Sequence, residues 1–222
     1  MLQAAPDLLS WLRSSIYPHY YWAREIIKVL REHGISDNAT IIDAPCGEGI
    51  IAYWIAKSFP GNELMLIDRD KEALAAAARL LPSAQIIHGD LFELPVARGD
   101  DVWLLINSLY LLPNPAKLVN LMHSQATLIV GIFPYLEHRN YRCFMKNNPD
   151  FENPHAMSQR ETLNFFERCG YGNLSCTPLT PIPYHCMRLP TLNGLLRRLF
   201  LALDPLLPAQ KGAYWLGVFE RN

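Results

Sequence analysis

Apolar runs with the length of β-strands alternate along the chain with segments whose apolar residues recur at helical spacing. Five runs are nearly continuous in hydrophobicity, which is typical of strands that are covered on both faces. These runs are ATIIDA (39–44), ELMLID (63–68), AQIIHG (84–89), DVWLLIN (101–107) and ATLIVGIF (126–133). The alternation predicts βαβ units that build a parallel sheet.

Helical periodicity and terminal signals define the remaining elements. The segment 158–170 begins with Ser158 and has Glu161 three residues later, which is the spacing of a capping box, and it ends at Gly170. We predict helices at 49–59, 70–81, 114–124 and 158–170, and two later strands at about 173–180 and 213–221.

Composition and charge exclude several classes of protein. The chain has 222 residues, of which 50% are hydrophobic, so it can bury a core of its own and is not intrinsically disordered. The formal net charge of −1 makes nucleic acid an unfavoured partner. No run reaches the roughly 18 uncharged apolar residues that a transmembrane helix needs.

Cysteine usage and the first residues bear on the compartment. Five cysteines without a CxxC pair indicate neither a disulfide framework nor a zinc site, and we expect no bound metal. The N-terminal stretch contains Asp7 and Arg13 and lacks the basic start of a secretory signal. These features predict a protein of the reducing cytoplasm.

A glycine-containing loop follows the first predicted strand. It reads Asp43-Ala44-Pro45-Cys46-Gly47-Glu48-Gly49 and leads into the helix 49–59. Glycines let the backbone approach a ligand closely, and the helix N-terminus offers unpaired N–H groups. Read as Gly47-x-Gly49-x-x-Ala52, the loop also matches the dinucleotide fingerprint. With Asp68 at the end of the second strand, a nicotinamide or flavin oxidoreductase stays open at this point.

A third segment separates these interpretations. The strand 84–89 is followed by Asp90 and Leu91, and the next strand ends in Asn107 and Ser108. The succession DAPCGEG, IDRD, GDLFELP and DDVWLLINSLYLLPNP resembles the class I S-adenosylmethionine-dependent methyltransferases, although Pro45 stands where many members have a glycine. The resemblance is close over about residues 39–133 and looser beyond them.

This resemblance implies an α/β protein with the Rossmann-like methyltransferase fold. That fold is a seven-stranded, mostly parallel sheet with an antiparallel last strand and helices on both faces. It also implies an enzyme that binds S-adenosylmethionine and releases S-adenosylhomocysteine. The implied cofactor-binding residues are Asp43, Ala44, Pro45, Gly47, Gly49, Asp68, Arg69, Asp90, Leu91, Asn107 and Ser108.

The resemblance assigns a role to most of these residues. Asp43 would support the loop and the methionyl amino group, and the two glycines would pass the backbone beside the methionyl and ribose portions. Asn107 and Ser108 would lie under the sulfonium. Asp68 would bind the ribose hydroxyls, Arg69 would flank the adenine, and Asp90 and the Leu91 N–H would hydrogen bond to the adenine.

The methyl acceptor should lie beyond the strand ends. Three segments stand outside the alternation, a helical cap at 1–36 and insertions at 134–157 and 182–212, around a cofactor-binding core at 37–133. We expect a single domain, 1–222, in which these segments shape the acceptor site. Their apolar and aromatic content predicts a small, largely apolar organic acceptor, methylated on oxygen, nitrogen or carbon. Candidate catalytic residues are Tyr20, His138 and His155.

Two segments have competing interpretations. The aromatic stretch 17–22 either packs as a helix start on the edge of the sheet or closes over the sulfonium, because aromatic faces attract cations. The leucine-rich stretch 192–208 either closes the core or contacts an apolar acceptor, a membrane or a carrier-bound substrate. His88 is expected to be a strand residue without a chemical role.

Other functions remain as alternatives. A nucleotide-dependent oxidoreductase usually begins with its first strand, whereas here some 38 residues precede it. A catalytically silent member of the methyltransferase fold would be expected to lose Asp68, Asp90 or the glycines, and all are present. A nucleic-acid methyltransferase is disfavoured by net charge and by Asn107-Ser108-Leu109-Tyr110 in place of an NPPY-type sequence.

Overall fold

A seven-stranded sheet with helices on both faces forms the described part of the chain. The computed structural model describes residues 16–91, 101–112, 114–123, 126–136, 142, 146, 157–179 and 214–222. The strands are β1 (Thr40–Asp43), β2 (Glu63–Asp68), β3 (Gln85–His88), β4 (Asp101–Ile106), β5 (Ala126–Pro134), β6 (Tyr171–Leu179) and β7 (Tyr214–Arg221). The α-helices are α1 (Ile16–Glu32), α2 (Ile50–Ser58), α3 (Lys71–Leu80), α4 (Pro115–His123) and α5 (Gln159–Arg168), and a 3₁₀ turn covers Leu109–Leu111.

The strand order is β3-β2-β1-β4-β5-β7-β6. Strands β1 to β5 pair in parallel, and β7 lies antiparallel to both β5 and β6. The predicted fold class is therefore confirmed, including the single antiparallel strand. All seven predicted strands and the four predicted helices are present, and only their ends differ by one or two residues.

Alternate residues of the central strands enter opposite cores. On β1 and β4, Ile41, Val102 and Leu104 belong to one buried cluster, whereas Ile42 and Trp103 belong to another. The helices α1 and α2 cover the first cluster, and α4 and α5 cover the second. Two apolar faces explain why these strands appear in the sequence as nearly continuous hydrophobic runs.

Helix ends follow the signals in the sequence. The Asp70 carboxylate accepts hydrogen bonds from the N–H groups of Glu72 and Ala73, at 2.8 and 3.2 Å, and so caps α3. Ser158 and Glu161 form the predicted capping box of α5. Strand β6 begins directly after Gly170, which has a φ of 86° and ends the helix, so β6 starts two residues earlier than expected.

The first helix is part of the core from Trp22 onward. Trp22, Ile26 and Leu30 are buried in the cluster on the face of β1 and β4. The Trp22 ring also makes an edge contact with Tyr214, with ring centroids 5.0 Å apart. Since Tyr214 pairs with Pro134, the last residue of β5, this contact places the start of α1 at the carboxyl edge of the parallel strands.

Several expectations fall where the structure gives no description. Residues 1–15, 182–212 and most of 134–157 lie outside the described residues, as do His138 and His155. The backbone of Tyr20 belongs to α1, and its side chain lies outside the description. Among the described helices, none has the length and apolar character needed to cross a bilayer.

The buried position of Trp22 predicts a stability effect. Replacing Trp22 with Ala removes a ring packed on α1, the sheet and Tyr214, and should lower the free energy of unfolding by about 3 kcal/mol or more. Chemical denaturation measures this change. The control is Trp54→Ala on α2, a ring that is only partly buried and should cost less. A loss at Trp22 no larger than that at Trp54 would contradict the packing described here.

Candidate cofactor site

The order of the strands reverses between β1 and β4, and we refer to the region beyond the carboxyl ends of these two strands as the cofactor cleft. The chain proceeds outward from β1 to β2 and β3 and then returns to place β4 on the other side of β1. Ligands of open α/β sheets bind at such a reversal of strand order, outside the carboxyl ends. Asp43 ends β1, Asp68 ends β2, and Asn107 follows β4. The topology thus brings together residues that lie as many as 64 positions apart in the sequence.

The loop after β1 is anchored to the end of β2. The Cys46 N–H donates to the Ile67 carbonyl oxygen at 2.9 Å, and the Gly47 N–H donates to an Asp68 carboxylate oxygen at 2.8 Å. The other Asp68 oxygen accepts from the Asp70 N–H at 3.0 Å. The family resemblance implied that Asp43 supports the loop, whereas the described hydrogen bond to the loop is made by Asp68.

Glycine is required at two points of this loop. Gly47 and Gly49 have φ angles of 53° and 72°, which side chains with a Cβ rarely adopt. A Cβ on Gly49 would also lie 3.0 Å from the Ala77 Cβ of α3. Gly49 is the N-cap of α2 and supplies no side chain to cap it, so the first N–H groups of that helix face the loop without a side-chain acceptor.

Asp43 is a buried carboxyl group beside a second carboxyl group. Its side chain is 2% exposed, and Oδ1 has no hydrogen-bond partner. Burial, with a smaller contribution from the negative charge of Asp68, raises the pKa of Asp43 to about 8. The carboxyl group therefore carries a proton at neutral pH in the free protein. Burial and the same two carboxyl groups also raise the pKa of the Cys46 thiol, so Cys46 is no thiolate nucleophile.

Two more unsatisfied polar atoms follow β4. Asn107 has a φ of 51°, and its N–H donates to the Ile132 carbonyl oxygen at 2.8 Å, which continues the β4–β5 ladder by one residue. Asn107 Oδ1 and Ser108 Oγ are both buried without a hydrogen-bond partner. A buried polar atom left unpaired costs about 1 to 3 kcal/mol, and a group bound at this edge could supply the missing partners.

The residues expected around adenosine lie on the β2 and β3 side of this edge. Arg69 and Asp90 are exposed there, and Leu91 is buried. Gly89, between β3 and Asp90, donates its N–H to the Asp68 carbonyl oxygen at 3.1 Å and so ties the ends of β2 and β3 together. His88 makes a contact that the sequence pattern does not indicate, since its Nε2 lies 3.2 Å from the Arg69 carbonyl oxygen.

The structure thus gathers the predicted cofactor residues at one edge. Ala44 is buried under the loop, and Pro45 follows it through a cis peptide bond. Among the described residues, no group of three or more His, Cys, Asp and Glu side chains is arranged to hold a metal ion.

Comparison with known proteins identifies the family. Residues 35–167, more than half of the chain, match a family described as "Methyltransferase domain". The chain is 27% identical over 146 residues to the demethylmenaquinone methyltransferase of Chlamydia felis (strain Fe/C-56). That match covers 59% of this chain and 61% of the relative, so the chain matches less than two thirds of the relative's length.

Solved structures agree on the fold. The magnesium protoporphyrin IX methyltransferase of Synechocystis PCC 6803 with bound S-adenosylhomocysteine superimposes with a TM-score of 0.65 at 9% identity, over 99% of this chain and 90% of that one. The plantazolicin methyltransferase BpumL, in complex with a monoazolic desmethylPZN analog and S-adenosylhomocysteine, gives a TM-score of 0.63 at 18% identity, over 98% of this chain and 91% of that one.

These matches favour the methyltransferase interpretation of the glycine loop over the dinucleotide one. They confirm the resemblance that the four sequence motifs indicated, and the strand order agrees with the fold that the resemblance implied. Because the family match covers more than half of the sequence, including β1 to β5, the chain belongs to the methyltransferase domain family.

Proposed function

We propose that the protein transfers a methyl group from S-adenosylmethionine to a small, largely apolar organic acceptor. The observation that carries this proposal is the set of buried, unpaired polar atoms between the ends of β1 and β4, namely Asp43 Oδ1, Asn107 Oδ1 and Ser108 Oγ. The Asn107 amide oxygen can only accept hydrogen bonds, and the same holds for Asp43 Oδ1 once the carboxyl group is ionised. A ligand with N–H donors and positive charge would satisfy them.

The residues present fit the methionyl end of S-adenosylmethionine. Its ammonium group offers donors and a positive charge to Asp43, and that charge favours the ionised form of a carboxyl group that is protonated in the free protein. Asn107 and Ser108 offer oxygens on the β4 side of the cleft. The left-handed turns at Gly47 and Gly49 let the backbone pass close to the cofactor without a Cβ in the way.

The adenosine end fits the β2 and β3 side. Asp68 uses one hydrogen bond on each carboxylate oxygen, and each oxygen can accept a second, so ribose hydroxyls can bind without breaking the loop. Arg69 lies next in sequence to flank the adenine. Asp90 and the backbone of Leu91 follow β3, where they can hydrogen bond to the edge of the base. Ala44 and Pro45 complete the wall of the loop.

The catalytic contribution we assign to the chain is positioning. When bound, S-adenosylmethionine supplies a methyl group on a cationic sulfur. Asp43, Asn107 and Ser108 would hold that end in a buried site, and fixed orientation of two reactants accounts for several kcal/mol of a lowered barrier. Tyr20, His138 and His155 remain our candidates for a general base, which an alkyl hydroxyl acceptor would require and a phenol or carboxylate would not.

We propose that the acceptor enters beside the start of α1. The His19, Trp22 and Tyr214 rings form a chain of edge contacts at the carboxyl edge, with centroids 5.5 and 5.0 Å apart, which places aromatic surface on the side where the strands end. Strand β5 ends and β7 begins at the same edge, where Pro134 pairs with Tyr214. Small-molecule acceptors appear in the names of the Chlamydia and Synechocystis methyltransferases, which supports this class of substrate.

We also propose that the chain forms a single domain and that the protein resides in the reducing cytoplasm. The described cysteines Cys46, Cys169 and Cys176 are free thiols, as expected for a reducing compartment. The oxidoreductase and the catalytically silent alternatives are not favoured, since the family match and the intact Asp68, Asp90 and glycines support an enzyme.

Binding measurements test the proposed cofactor. Calorimetric titration of the purified protein should show saturable binding of S-adenosylmethionine and S-adenosylhomocysteine and none of NAD or NADP. The physical basis is the ammonium group of the two sulfur compounds, which offers hydrogen-bond donors and a positive charge to Asp43 and which a dinucleotide lacks. Binding of NAD without binding of either sulfur compound would overturn the proposal.

Asp68 offers a second test. Asp68→Ala removes the acceptor for the ribose and the anchor of Gly47, and should weaken S-adenosylhomocysteine binding by about 1.5 to 3 kcal/mol. Asp68→Asn keeps one of the two side-chain oxygens, so its affinity for S-adenosylhomocysteine should lie between those of the wild type and Asp68→Ala. The matched control is Asp70→Ala, which removes a carboxylate two residues away that caps α3. Equal dissociation constants for the wild type and folded Asp68→Ala would remove Asp68 from the site.

The protonation of Asp43 predicts an unusual dependence of stability on pH. Between about pH 4 and pH 8 the folded protein keeps a proton that the unfolded chain releases, so this group makes the free energy of unfolding fall as pH rises. Asp43→Asn lacks that group. It should be more stable than the wild type, by an amount that grows from pH 5 to pH 8 and exceeds about 1 kcal/mol at pH 8.

Denaturant unfolding at pH 5, 6.5 and 8 measures this difference. The same variant should bind S-adenosylhomocysteine more weakly, because the negative charge facing the ammonium group is gone. Asp37→Asn, in an exposed turn, serves as the control for loss of a carboxylate elsewhere. A difference between Asp43→Asn and the wild type that is constant across the three pH values would contradict the raised pKa.

A further inference from the structure

A groove on the outer surface of α1 and α2 lies apart from the cofactor cleft. Its volume is about 420 Å³, within the range of roughly 300–1,000 Å³ that is usual for small-molecule sites. The lining residues are Arg24, Ile27, Lys28, Arg31, Glu32, Trp54 and Ser58. Arg31 and Ser58 belong to the last turns of their helices, and α1 leads into the amino end of β1. The groove therefore extends toward the amino edge, whereas Asp43 lies at the carboxyl edge.

The charge of the groove is opposite to that of the whole chain. Arg24, Lys28 and Arg31 line the groove together with Glu32, and Arg24 is paired with Glu25 at 2.8 Å. With Lys57 next to the lining, four cations face two carboxylates, whereas the whole chain carries −1. The ammonium group of Lys57 lies beside the groove, 5.4 Å from the centroid of the Trp54 ring. Positive charge is therefore concentrated here, and the local field favours an anion.

The side chains of Lys28 and Arg31 can contact the same anion. Arg31 packs its guanidinium over the Phe59 ring at 5.9 Å and has no carboxylate partner among the ion pairs of the described residues. Lys28 faces Glu32 at 3.8 Å, with side chains that are 67% and 58% exposed, and such a pair contributes little. Lys28 and Arg31 are three positions apart on α1, so their side chains lie side by side on one face.

The groove also has an apolar part. Ile27 and Trp54 are partly buried and pack against the core cluster below them. Their uncovered portions lie next to the cations rather than apart from them. A ligand that fills the groove would thus place a charged group on α1 and an apolar portion on Ile27 and Trp54.

We propose that this groove binds a single anionic amphiphile. Its phosphate, sulfate or carboxylate group contacts Arg31 and Lys28, and its aliphatic or aromatic portion covers Ile27 and Trp54. The bounded volume of about 420 Å³ suits one small molecule bound from solution. The site is independent of the proposed methyl transfer, because none of its residues belongs to the cofactor cleft.

Dodecyl phosphate below its micelle concentration is a suitable probe. Calorimetric titration should show one saturable site, and saturating S-adenosylhomocysteine should leave that affinity unchanged. Dodecyltrimethylammonium, with the same chain and the opposite charge, should not bind. Lys28→Gln/Arg31→Gln should weaken dodecyl phosphate binding by about tenfold or more, which is the scale for charge-assisted contacts. The matched control Arg79→Gln/Arg160→Gln removes two exposed helix cations elsewhere and should bind as the wild type does.

Four outcomes would overturn the proposal. They are equal binding by wild type and Lys28→Gln/Arg31→Gln, equal binding of the cationic amphiphile, equally tight binding of inorganic phosphate, and competition by S-adenosylhomocysteine. Vesicles of phosphatidylglycerol distinguish the source of the anion. Binding to vesicles without binding of monomeric dodecyl phosphate would assign the basic groove to a membrane surface and contradict a single bound molecule.

Discussion

The hydrogen bond between the Gly47 N–H and the Asp68 carboxylate holds the candidate site in its shape. It joins the loop after β1 to the end of β2, and the neighbouring bond from Cys46 to Ile67 makes the connection two residues wide. The left-handed turns at Gly47 and Gly49 follow from this path, because the chain has to turn sharply before α2 begins. Asp43 lies directly below, and its environment is set by the loop above it and by the charge of Asp68 beside it.

Buried polar atoms without hydrogen-bond partners make the free site energetically unfavourable. Asp43 is buried with one oxygen unpaired, and Asn107 and Ser108 add two further unpaired oxygens across the cleft. Hydrophobic residues at these positions would make the free protein more stable, since unpaired buried polar atoms are unfavourable. The cost is consistent with a site whose polar groups are arranged for a bound ligand. The burial of Asp43 and its raised pKa would then be properties of the free protein that a cationic ligand reverses.

Sequence patterns predicted the architecture well because the central strands are buried on both faces. The run ELMLID coincides with β2 at both ends, since the chain turns at polar residues immediately before and after it. The capping box at Ser158 and Glu161 likewise marked the start of α5. The start of β6 was less clear, because only its end residues Tyr171 and Leu179 are buried and Gly170 leaves no gap after the helix.

The site was predictable in its members and less so in their contacts. Asp43, Asp68 and Asn107 could be identified because each lies at the end of a predicted strand. Hydrophobic periodicity does not show which carboxylate accepts from the Gly47 N–H, since that depends on the register of β1 and β2. The left-handed conformation of Asn107 was equally absent from the pattern. The contact between His88 and the Arg69 carbonyl depends on the pairing of β2 with β3, which places His88 opposite Asp68.

The orientation of α1 about its own axis determines which of its residues face the carboxyl edge of the sheet and which line the groove. Trp22, Ile26 and Leu30 fix that rotation by entering the core together. With this face buried, His19 at the start of the helix reaches the aromatic contacts at the carboxyl edge, and Lys28 and Arg31 face away from the sheet. A change in the packing of Trp22 would therefore alter both surfaces at once, because a helix with one buried face cannot turn one of its ends without the other.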